Sequence, residues 1–132
     1  NKRSYEGRDL LNILVDFCRQ EGDFEWGIAF HPYPQDINNP RTWEDDQATY
    51  RFDTPFLTPK NLEVLNAWVE LPEVRYRGLP REIHFTEQGL NSPDYSKKSL
   101  LDQAAGMAYT WEKIRKMKVM ISYLQVTMLL RF

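Results

Sequence analysis

The sequence predicts an α/β fold assembled from parallel βα units. Three observations carry that expectation. Helix-like and strand-like patterns alternate along the chain, in the order helix, strand, helix, strand, helix, strand. The two clearest strand candidates are short apolar runs, the habit of strands covered on both faces. Each run also ends in polar, proton-handling side chains: His31-Pro32-Tyr33 after the first, Thr86-Glu87-Gln88-Gly89 after the second. In a parallel α/β barrel, the loops leaving the strand C-termini build the active-site face.

The elements are justified in turn. Residues 5–20 read as a helix, with Leu10, Leu11, Leu14, Phe17 and Cys18 at the spacing of one face and Gly22 as its stop. Residues 25–31 read as the first strand. Alternation puts Gly27, Ala29, His31 and Tyr33 on one side and Trp26, Ile28 and Phe30 on the other. Small residues giving way to large polar ones suit the inside of a narrow barrel opening at its mouth. Residues 34–57 show no sustained period, and a connection that long is uncommon unless functional.

Thr58-Pro59 then gives an N-cap with proline at the first helical position. Leu62, Leu65, Trp68 and Val69 stripe the second helix, which should end before Pro72. Residues 82–87 form the second strand, with Ile83, Phe85 and Glu87 on one side and His84 and Thr86 on the other. Gly89 suits a sharp turn directly after it. Ser99-Leu100-Leu101-Asp102 has capping-box form. It opens a third helix whose stripe is Leu100, Ala104, Met107, Ala108, Trp111 and Ile114. Residues 119–124 read as a third strand.

Size and charge bound the function. The chain has 132 residues, 42% hydrophobic, enough for one domain with a core. A complete (β/α)8 barrel needs about 250 residues, so at most half of one fits. A net charge of −2, from 17 basic and 19 acidic residues, gives no electrostatic argument for nucleic acid or an anionic membrane. No apolar stretch reaches the roughly 18–20 residues of a membrane span. Cys18 is the lone cysteine, so no internal disulfide and no Cys-based metal site is expected; it reads as buried filler. No targeting signal is visible at Asn1, and the compartment stays open.

Glu87 is the leading catalytic candidate. A carboxylate at a strand end can act as nucleophile or as acid/base once its neighbours tune it. The plain alternative is a surface glutamate in a βα loop. His31 and Tyr33, two apart on an extended segment, should share a face and hydrogen-bond a carboxylate or a sugar hydroxyl; otherwise they merely cap the strand end. His31 and His84 should lie on opposite faces, and no ligand spacing supports a metal site. Trp43, Tyr50, Phe52 and Phe56 would either stack on pyranose rings or pin the loop to the fold. Glu44-Asp45-Asp46 would be a solvated acidic turn or, less simply, a calcium site.

Taken together and in this order, His31-Pro32-Tyr33 and Thr86-Glu87-Gln88-Gly89 resemble the retaining glycoside hydrolases built on (β/α)8 barrels, the cellulase-like clan. There, a His-x-Tyr element follows strand six and the nucleophilic glutamate ends strand seven in segments such as Thr-Glu-x-Gly. The run from Trp26 through Trp111 also looks like uncharacterised bacterial glycosidase-like proteins of that clan. The resemblance covers roughly residues 5–117. It implies Glu87 as nucleophile, Tyr33 as its hydrogen-bonding partner, and His31, Trp43, Tyr50 and Gln88 as substrate-binding residues. It requires no cofactor.

The clan's acid/base, a glutamate after asparagine at the end of strand four, has no counterpart here; Asn61-Leu62-Glu63 opens a helix instead. No tryptophan follows Trp111 to form the strand-eight platform, and residues 119–132 run almost uncharged, like an aggregation-prone β segment rather than a native barrel continuation.

The resulting expectation is a partial (β/α)8 TIM barrel over residues 1–132, about strands six to eight with parallel strands. It would be a fragment of a retaining glycoside hydrolase of polysaccharide or oligosaccharide, inactive alone. A secreted or periplasmic setting would suit such an enzyme. The alternative is a non-catalytic α/β domain that binds carbohydrate or a protein. Exposed sheet edges and an open inner face lead one to expect self-association or pairing with the missing barrel half.

Overall fold

The structure, a computed structural model, describes residues 7–117, so the expected strand at 119–124 and the tail to 132 lie outside it. The order is α1 (Gly7–Glu21), β1 (Ile28–Phe30), α2 (Leu62–Val69), β2 (Ile83–Phe85) and α3 (Lys97–Arg115), with 3-10 turns at Thr42–Glu44 and Pro59–Asn61. The fold is mixed α/β. β1 and β2 pair in parallel, with Ile28 beside Ile83, Ala29 beside His84 and Phe30 beside Phe85. Both strands are shorter than the apolar runs that announce them.

This register sorts the side chains onto two faces. Ile28, Ile83 and Phe85 turn toward the helices and join Leu62, Leu65, Val69 and Ile114 in the core. Phe30 packs against that cluster and meets Phe85 edge to face, centroids 6.2 Å apart. The opposite face carries Gly27, Ala29 and His84. A Cβ on Gly27 would stand 3.1 Å from the Glu82 carbonyl oxygen and 3.3 Å from the His84 ring, so glycine lets β1 run close to that imidazole.

The helices follow their caps more faithfully than their stripes. α1 stops at Gly22, whose φ of +110° suits glycine and whose N–H reaches the Cys18 carbonyl at 3.1 Å. Its buried residues are Val15 and Cys18, while Leu10 and Phe17 point outward with Ile13, a correction to the expected face. Before α2, the Thr58 hydroxyl accepts from the Lys60 N–H at 3.2 Å, and the Asn61 carboxamide accepts from the Thr58 N–H at 2.9 Å. Proline at 59 costs nothing there, because its missing N–H would have no helical partner.

α3 is capped by Ser96, whose hydroxyl accepts from the Ser99 N–H at 3.2 Å, so the helix starts before the expected capping box. Asp102 pairs with Arg41 at 3.0 Å instead of capping. The buried line on α3 is Gly106, Thr110 and Ile114; Leu100 and Trp111 of the expected stripe are exposed. The reason is a close approach. Pro40 presses its carbonyl oxygen onto Gly106, where any Cβ would collide with it.

The long connection after β1 is irregular yet anchored. Buried Asn61 donates to the carbonyls of Thr49 at 2.7 Å and Phe56 at 2.9 Å, and to the Thr54 hydroxyl at 3.2 Å. One side chain thereby replaces the ladder that the loop lacks.

A second polar cluster closes the N-terminal end of the sheet. Arg81, 3% exposed, donates to the carbonyls of Val74 at 2.8 Å and Phe24 at 2.7 Å and pairs with Asp23 at 2.5 Å. Its guanidinium lies over the Trp26 ring at 4.2 Å and the Tyr76 ring at 5.0 Å. The hydrogen bond from Arg81 holds the Asp23 carboxyl below its usual range, against the opposing effect of burial.

Candidate active site

The C-terminal ends of the two parallel strands bring four polar side chains together. Beyond Phe30, the His31 imidazole Nε2 is joined to the Thr86 hydroxyl at 2.9 Å, with the donor set by the histidine tautomer. Tyr33 lies past a turn: its N–H donates to the His31 carbonyl at 2.9 Å and closes a three-residue loop around Pro32. That turn corrects the expectation that His31 and Tyr33 share one extended face. Alternation ends at His31, and Tyr33 is re-aimed at the neighbouring residue of the other strand end. Its phenol donates to Glu87 Oε1.

The electrostatics of this pair are one-sided. The Tyr33 phenol is raised above its usual range, first by the hydrogen bond to Glu87 and then by burial. Losing its proton would set two anions against each other. Tyr33 is thus held as a neutral donor, and the carboxylate keeps acceptor capacity beyond that one bond. Both side chains are half-buried, so they remain within reach of a ligand.

Gly89 lies against Tyr33, where an added Cβ would be 3.5 Å from the ring, an ordinary contact. Its backbone is not left-handed, so the sharp turn expected there is absent and the glycine instead leaves room beside the phenol. Gln88, half-buried, follows Glu87 directly.

Other candidates sit elsewhere. Trp43 meets Tyr109 of α3 edge to face at 5.6 Å, and the Tyr50 hydroxyl donates to the Lys60 carbonyl at 2.9 Å. Lys113 of α3 stands 5.4 Å from the Tyr50 ring. These contacts fasten the loop to α3 and to the 3-10 turn at Pro59–Asn61, and none of them is with Tyr33 or Glu87. His84 pairs with Glu82 at 3.1 Å. Because His84 sits beside Ala29 in the register, it shares a face with His31, contrary to the expectation from alternation alone.

The acidic turn does not gather: Glu44 bonds Asn39 and Arg41, Asp46 bonds Gln35, and Asp45 is buried. Among the described residues no group of three His, Cys, Asp or Glu side chains could hold a metal ion. Thr86 was not singled out from sequence as a partner for His31. The available signal was that each ends a strand of the same parity.

This is a mixed α/β domain with a phenol–carboxylate pair at the ends of parallel strands. Residues 1–128 match the model of the Family of unknown function (DUF5722), and the chain belongs to that family. No curated protein and no solved structure matches it.

Proposed function

We propose that the chain is a sector of a (β/α)8 barrel and supplies the nucleophile of a retaining glycoside hydrolase. The observation that carries this reading is the hydrogen bond from Tyr33 to Glu87 at the C-terminal ends of neighbouring parallel strands. That is where a barrel gathers its catalytic groups. In this mechanism a Glu87 carboxylate oxygen attacks the anomeric carbon while the bond to the leaving oxygen breaks. A second carboxylic acid gives that oxygen its proton. Water, deprotonated by the same second group, then cleaves the glycosyl ester. Tyr33 orients the carboxylate and spreads its charge until attack. The route needs no metal or organic cofactor.

On this reading the acid/base comes from outside these residues, because no Asn-Glu dipeptide ends a strand here to supply the second carboxyl about 5–5.5 Å from Glu87. One carboxylate cannot fill both roles, so the chain alone turns over ordinary glycosides negligibly; general-acid help is worth about 10²–10⁴-fold. The competing reading is a non-catalytic α/β domain that binds carbohydrate or protein. It accounts for the exposure of Trp43, Tyr50, Phe52 and Phe56, but it gives Tyr33 and Glu87 no reason to meet.

Activated substrates separate the two. A dinitrophenyl leaving group needs no proton, and a 2-fluoro substituent slows hydrolysis of the ester. A panel of dinitrophenyl 2-deoxy-2-fluoroglycosides should therefore add one sugar mass to the chain, on the peptide containing Glu87. Glu87→Gln should abolish the adduct. No adduct from any sugar configuration, or one that persists in Glu87→Gln, overturns the proposal.

A further inference from the structure

Two helices carry a second apolar face that the described residues leave uncovered. On α1, Leu10, Ile13 and Phe17 follow helical spacing and are 61%, 60% and 57% exposed, while Val15 and Cys18 hold the opposite face in the core. On α3, the outward face is a shallow trough: Ala104 and Ala108 are exposed between Leu101 at 59% and Trp111 at 53%. Bulky side chains in a row make a ridge, and alanines between larger residues make a groove. Scattered exposed apolar residues need no explanation, but contiguous helical rows of them mark contact surfaces.

The charges bordering these faces are also opposite. Asp9, Asp16 and Glu21 flank the α1 ridge; Arg8 pairs with Asp9 at 3.5 Å and Arg19 lies in the last turn, so the helix remains acidic by one charge. Lys97, Lys98 and Arg115 border the α3 groove, where Lys98 pairs with Asp102 at 3.1 Å and Glu112 is held by Arg115 and Lys116. Ridge and groove thus complement each other in shape and in sign, whereas two ridges or two grooves would not. We propose that the partner is a second copy of this chain, with α1 of one copy docked on α3 of the next. Such a contact is heterologous, joining different patches on the two copies. The inference rests on these two helix faces alone and stands apart from the catalytic reading.

A single helix pair falls short of the about 1,200 Å² of a standard stable interface, so the association is weak and depends on concentration. Salt should loosen it, since the flanking charges are exposed. Sedimentation of the 132-residue chain over rising concentration should show association. Ile13→Glu with Phe17→Glu should weaken it at least about tenfold, as should Ala108→Arg alone, through loss of central contacts. All three positions are exposed, and circular dichroism checks that the fold persists. The decisive arm mixes the two variants. Each retains the surface the other has lost, so an equimolar mixture should form a 1:1 pair and stop there. A monomer at every concentration, a mixture that stays monomeric, or association unchanged in both variants overturns the proposal. So does disruption by the α1 variant alone, the sign of a symmetric ridge-on-ridge pair.

Discussion

The two ends of the parallel sheet hold polar clusters of different character. At the N-terminal end, Arg81 spends its donors on two carbonyls and a carboxylate and lies over two aromatic rings. It is 3% exposed, and all three of its guanidinium nitrogens are engaged. At the C-terminal end, Tyr33 and Glu87 are half-buried, joined by one hydrogen bond, with His31 and Thr86 beside them. The Arg81 side chain is closed off from solvent, whereas Tyr33 and Glu87 remain within its reach. Barrels keep stability at the bottom and chemistry at the top, and the proposed function assigns these two clusters accordingly.

The contrast can be broken first by stability. Arg81→Ala removes three hydrogen-bonding interactions and leaves the Val74 and Phe24 carbonyls without their partner. It should cost about 3–4 kcal/mol, read as a lower urea midpoint. A loss under 1 kcal/mol would show that the bracket is idle. Next comes Gly106→Ala, whose methyl must displace the Pro40 carbonyl and the Leu90 side chain. Overpacking of that kind costs about 2–3 kcal/mol, and the loop should become more open to proteolysis. An unchanged midpoint would mean that α3 and the loop are not in close contact.

Glu87→Gln comes last in this order. It keeps the shape and an acceptor for Tyr33, so stability should move by less than about 1 kcal/mol while the covalent labelling vanishes. A collapse of stability would recast Glu87 as a structural residue.

Acid should reach the two ends unequally. The folded Asp23 carboxyl lies below its ordinary value of 3.8, so its contribution is complete above that value and is lost as pH falls through the lowered folded value. Urea midpoints measured below pH 3.8 should drop more in the parent chain than in Asp23→Asn. Parallel pH curves would remove Asp23 from the bracket.

Sequence pattern carried the larger outline because local chemistry wrote it. Thr58-Pro59 marked the turn leading into α2, Gly22 the end of α1, and two apolar runs the parallel strands. The stripes of α1 and α3 misled because both helices are apolar on two sides, and periodicity cannot say which side meets the core. Burial of Gly106 and Thr110 depends on Pro40, a partner distant in sequence. Nothing in the sequence sets Arg81 apart, since its carbonyl partners come from Val74 and Phe24. The turn at Pro32 moved Tyr33 off the face that alternation gave it; its pairing with Glu87 was implied by the resemblance to the glycoside hydrolase clan, not by the strand pattern.

The phenol–carboxylate pair is the point on which the account rests, and titration of Tyr33 tests it directly. With the tyrosine ring carbons labelled, NMR should show Tyr33 ionising above the ordinary value of 10.0. In Glu87→Gln the same ring should ionise at lower pH than in the parent chain, because the neighbouring anion is gone. An identical Tyr33 titration in both proteins would contradict the pair and the nucleophile assignment with it.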